Sequence, residues 1–125
     1  MTAPIELVPR RRRGAVHVQL ALASTIVAGV IVQVYLIGAY IFGAGEGALD
    51  AHRGVGFAIH GVEVLLLLSS LIAARSRLLA LALAVLGTVQ IALAGAHEWV
   101  GALHPLFAMV VLGLAGMIAV QAHRH

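Results

Sequence analysis

A chain of 125 residues that is 62% hydrophobic and only 10% charged lies far outside the soluble range, where about a quarter of residues are charged. Its net charge of +3 is no nucleic-acid footprint, because the basic residues sit at the ends of apolar runs. The absence of cysteine excludes disulfides, thiolate-ligated centres and iron–sulfur clusters.

Residues 1–9 form a short mixed tail with two prolines, expected to lack structure. The arginines at 10–13 follow, and residues 1–13 together read as a basic tail touching anionic lipid. The first apolar run covers 16–42 and carries Gln33 within it. A signal-peptide core spans about 7–15 residues, so this longer run is read as a retained helix. It ends in Gly43-Ala44-Gly45-Glu46-Gly47. Asp50 is the expected N-cap of the next helix, over the run 54–74. Arg75-Ser76-Arg77 makes a tight turn into the third run, 78–96, which carries Gln90 and is expected to end near His97-Glu98. Trp99 suits a membrane interface. Pro105 fits the first turn of the fourth helix, whose run is 106–122.

A hydrocarbon core of about 30 Å needs about 20 helical residues, so four spans use nearly the whole of 14–125. The expected fold is all-α: a four-transmembrane-helix bundle, up-down-up-down. Arginines flank both ends of the chain and the middle turn, which places both termini on the cytoplasmic side of the cell membrane.

The two hairpins read as a degenerate repeat. Gly47-Ala48-Leu49-Asp50-Ala51-His52 leads into the second run and Gly101-Ala102-Leu103-His104-Pro105 into the fourth. The abundance of Ala, Gly and Leu makes coincidence the competing explanation. At 100° per residue His52, Gly56, Ile59 and Glu63 share a stripe, as do His104, Ala108, Val111 and Ala115. Each histidine then has a small residue one turn below it, Gly56 or Ala108. On the third helix Gln90 and His97 share a face.

Ionisable groups inside a membrane cost about 2.5–3.5 kcal/mol each on insertion scales, which marks them as functional by default. Glu63 lies near the midplane, about 14 Å deep at 1.5 Å per residue. His60 is one turn away and Gln33 is expected at similar depth. Glu63 is expected to be protonated or paired with His60, facing the bundle interior. The plainer alternatives are wetted interfacial histidines for His52, His97 and His104, interhelical hydrogen-bonding glutamines for Gln33 and Gln90, and a structural role for His60 with Glu63.

Gln33, Ala51-His52-Arg53-Gly54-Val55-Gly56, Ala73-Ala74-Arg75, Gln90 and Gly101-Ala102-Leu103-His104-Pro105 together resemble a family of small uncharacterised four-helix membrane proteins found mainly in actinobacteria. The likeness covers about 110 residues and implies fold and topology only. A second likeness is to membrane haem proteins of the cytochrome b561 and haem A synthase type, which hold haem between histidines of different helices. It implies His52 and His104 as iron ligands, with His60 or His97 as alternatives. The acidic residue that precedes the histidine in the haem A synthase type is not reproduced at that spacing, so haem-methyl oxygenation is not implied.

The leading expectation is a b-type haem between the second and fourth helices, for electron transfer or haem handling. Asp50, His97 or Glu98 would fix the histidine tautomers, and His60, Glu63, Gln33 and Gln90 would support the site or relay protons. Partners would be the lipid bilayer and a quinone or redox partner, with a homo-oligomer open and no nucleic acid. The alternatives are a cofactor-free accessory subunit and, with less support, a proton or metal transporter using His60 and Glu63.

Overall fold

The computed structural model describes residues 10–124; the tail at 1–9 lies outside them. The helices are α1 (Arg10–Ile41), α2 (Glu46–Ala73), α3 (Arg77–Ala94), the single turn α4 (Glu98–Gly101) and α5 (Leu103–His123), and no strand occurs among the described residues. Four of these helices are long and apolar enough to cross a membrane. The protein is a small multi-pass membrane bundle. At 1.5 Å per residue the 32 residues of α1 reach about 48 Å, so α1 tilts or projects beyond the hydrocarbon. The 18 residues of α3 reach only about 27 Å.

The bundle is square. α1 packs on α2 and α5, and α3 packs on the same two helices, while the diagonal pairs α1/α3 and α2/α5 have no Cα atoms within 8 Å of each other. Short connections between antiparallel neighbours give this order directly. Gly29 lets α1 and α2 close up: a Cβ there would stand 2.7 Å from the Ile59 side chain.

Several boundaries differ from the sequence reading. α1 begins at Arg10, so part of the expected tail is helical. α2 begins at Glu46, not near Asp50. Gly45, at φ +84, makes the reversal that a side-chain cap was expected to mark, and Glu46 puts negative charge at the helix N-terminus, where the dipole favours it. Asp50 instead lies within the helix, bonded to Arg53 at 3.2 Å. His52 is therefore inside α2 rather than at its start, whereas His104 is in the first turn of α5, beside Pro105. α3 stops at Ala94, short of His97-Glu98.

Beyond the α2–α3 turn, the end of the bundle nearer the termini is tied by polar contacts. Ala74 and Ser76 both adopt left-handed φ, 55 and 52, to reverse the chain between helices. Gln19 of α1 donates to Ser70 Oγ at 2.8 Å and to the Arg75 carbonyl at 3.3 Å. Ser76 Oγ donates to Gln121 Oε1 of α5 at 2.7 Å. Between this clasp and the opposite end, Ile26, Leu66, Leu83 and Ile118, one from each long helix, are fully buried.

Candidate functional site

A cavity of about 630 Å³ fills the half of the bundle nearer the α1–α2 and α3–α5 connections, and all four long helices line it. That volume is in the range of cofactor and small-ligand sites. Its walls are mainly apolar: Val30, Val34 and Ile37 from α1, Phe57 and Ile59 from α2, Ile91 from α3, Met109 and Val111 from α5. The polar groups reaching it are those singled out by the sequence: His52, His60, Glu63, Gln33, Gln90 and His104, with Gly56 and Ala108 in the wall. Arg53 joins them, from the helix end where it pairs with Asp50.

His52 and His104 project from α2 and α5, the two helices of a diagonal, whose backbones do not pack on each other. Their ring centroids are 6.2 Å apart with planes inclined at 68°. Each ring is held the same way. His52 Nδ1 lies 3.1 Å from the backbone carbonyl of Gln33, and His104 Nδ1 lies 3.0 Å from that of Gln90. A carbonyl only accepts, so each Nδ1 carries the hydrogen and each neutral ring keeps its lone pair on Nε2. No protein group among the described residues hydrogen-bonds to either Nε2. The repeat expected from sequence therefore exists in geometry: a glutamine carbonyl on the first helix of each hairpin orients a histidine on the second.

The tautomers are thus set by main-chain carbonyls and not by Asp50 or His97; the side chain of Glu98 lies outside the described residues. Nothing in the residue types signalled this, because a backbone acceptor has no sequence letter. His97 is exposed and does not line the cavity. Gln33 sits level with His52 and not with Glu63: its Nε2 donates 2.9 Å to the His52 carbonyl. The space left by Gly56 is occupied by this amide, since a Cβ at 56 would be 2.8 Å from Gln33 Nε2. Gln33 Oε1 and Gln90 Oε1 are both buried without a partner, as is Gln19 Oε1 toward the other end of the bundle.

Deeper in the cavity, His60 Nδ1 and Glu63 Oε2 are 2.9 Å apart. Glu63 is only 2% exposed, so it faces inward as expected. His60 Nε2 approaches Thr88 Oγ1 of α3 at 3.4 Å. Gly87 is the notch that admits the pair: a Cβ there would overlap Glu63 Oε2 and stand 2.7 Å from His60 Nδ1. Thr88 and Gly87 were not among the expected site residues, although Gly87 is the one glycine inside the α3 run before its C-cap.

Comparison with known proteins finds no family model, no curated protein and no solved structure that the chain matches.

Proposed function

We propose that this membrane protein binds a b-type haem in the cavity, where His52 and His104 would hold the iron, and serves electron transfer or haem handling. The observation that carries this reading is the pair of hydrogen bonds that His52 Nδ1 and His104 Nδ1 donate to the Gln33 and Gln90 carbonyls, which leave the Nε2 lone pair of each ring free for a metal. Orientation of a ligating histidine through its other nitrogen is the usual support for metal-binding imidazoles.

The spacing also fits. His52 and His104 have ring centroids 6.2 Å apart, near enough for both imidazoles to reach one metal ion, which imidazole nitrogen binds at about 2.0–2.1 Å. The walls offer apolar contact for a porphyrin, and Arg53 near the mouth supplies a cation for its carboxylates. When bound, the iron supplies a one-electron couple. Imidazoles at both axial positions favour electron transfer over oxygen activation. The likeness to haem proteins of the cytochrome b561 type supports the same assignment, and the arginine asymmetry supports cytoplasmic termini in the cell membrane.

A cofactor-free accessory subunit is the second reading. It is favoured by the hydrogen bonds that already engage His52, His104 and the His60–Glu63 pair within the protein.

The two separate on an optical spectrum of detergent-purified protein expressed with haem supplied. The haem reading expects a reduced-minus-oxidised b-type α-band at one haem per chain. A colourless protein that takes up no added haem supports the cofactor-free subunit.

A further inference from the structure

We propose that the cavity is a proton half-channel that ends blind on the His60–Glu63 pair, open toward the α1–α2 and α3–α5 connections and closed toward the termini. The proposal does not depend on iron, since His60 and Glu63 lie about 12 Å and about 17 Å below His52 along α2 at 1.5 Å per residue.

The first support is the terminus of the route. Glu63 and His60 both line the cavity, and their polar atoms are joined at 2.9 Å. A carboxylate–imidazole pair can take up one proton and share it between oxygen and nitrogen. No other ionisable group among the described residues faces it. α1 presents Val30, α3 presents Gly87 and Thr88, and α5 presents Val111 at this level. His52, His104 and Arg53 stand nearer the mouth. The notch at Gly87 shows that the packing of α3 accommodates this pair, at the expense of a side chain there.

The second support is the seal. Between Glu63 and the Gln19–Ser70 hydrogen bond lie about 10 Å of helix, at 1.5 Å per residue. Ile26, Leu66, Leu83 and Ile118 fill that layer, each fully buried, with Ala23 and Ala115 also at 0% exposure. The one buried hydroxyl on this stretch of α2, Ser69, is turned back onto the Leu66 carbonyl at 2.8 Å. Among the described residues, polar groups facing the bundle interior lie above and below this layer, and the one within it, Ser69, is engaged by its own helix.

Three measurements on protein reconstituted into phospholipid vesicles test the proposal. Infrared difference spectra between acidic and alkaline pH should contain a carboxyl band that Glu63→Gln removes; identical spectra for the two proteins overturn the proton site. Wild-type vesicles under a pH gradient, with potassium and valinomycin clamping the potential, should lose the gradient no faster than protein-free vesicles; a faster loss overturns the seal. The chain has no cysteine, so Ala108→Cys gives a single thiol in the cavity wall. A membrane-impermeant maleimide should modify it only from the side of the α1–α2 connection; modification from the side of the termini overturns the direction of opening.

Discussion

His52 and His104 face each other across the bundle at 6.2 Å between ring centroids, although the helices that carry them are diagonal and their Cα atoms come nowhere within 8 Å. Only residues pointing at the bundle axis can meet in this way. If haem is bound, His52→Ala and His104→Ala should each abolish or strongly weaken its retention, measured by haem content after size-exclusion chromatography. His17→Ala is the control. His17 bonds only to its own helix, through the Arg13 carbonyl at 2.8 Å, and its loss should leave the haem content unchanged.

The two glutamines look equivalent but are not. Both orient a histidine through the main chain, which no side-chain replacement removes. Only the Gln33 amide also donates a hydrogen bond, to the His52 carbonyl. Gln33→Leu loses that bond, worth about 0.6 kcal/mol on average between membrane helices, and so should be less stable than Gln90→Leu, since both variants also remove an unpartnered Oε1. Gln90→Leu should be neutral or stabilising, because it removes a buried oxygen that has no partner. Reversible unfolding in mixed micelles compares them.

Gly87→Ala should be the most damaging small substitution in α3. The new methyl group overlaps the Glu63 carboxyl and crowds His60. Overpacking of this kind costs about 1–3 kcal/mol, and either the pair separates or α3 moves away from α2. Alanine at Gly113 or Gly116, where a Cβ meets nothing within 4 Å, should leave the unfolding midpoint unchanged.

Much of this arrangement was legible in the sequence, for physical reasons. Four apolar runs with short connections allow little besides an up-down-up-down bundle. The helical period placed His52, Gly56, Ile59 and Glu63 on one stripe, and all four line the cavity. What was not legible depends on backbone atoms and on registry between helices. The carbonyls of Gln33 and Gln90 carry no residue-type signature. Gln33 was placed too deep because the offset between α1 and α2 is set by packing at Gly29 against Ile59. Gln19 lay unread inside the first apolar run, although it is fully buried and ties α1 to Ser70 and Arg75. Asp50 looked like a cap because an acidic residue before an apolar run usually is one; the Ala- and Leu-containing segment before it continues the helix instead.

The orientation is tested by single cysteines in intact cells. Gly45→Cys, in the α1–α2 connection, should react with a membrane-impermeant maleimide from outside. Arg75→Cys, in the α2–α3 turn, should react only after the cells are opened. The opposite pattern places the termini outside.

The central claim is a bis-histidine iron site at His52 and His104, and electron paramagnetic resonance of the oxidised, haem-loaded protein tests it most directly. If haem is held by His52 and His104 and their rings keep the 68° inclination seen here, the oxidised protein should give a strongly anisotropic low-spin ferric signal with one large g value. His52→Ala and His104→Ala should each lose it. A ferric signal that is high-spin in the wild type, or a low-spin signal that survives both substitutions, contradicts the account.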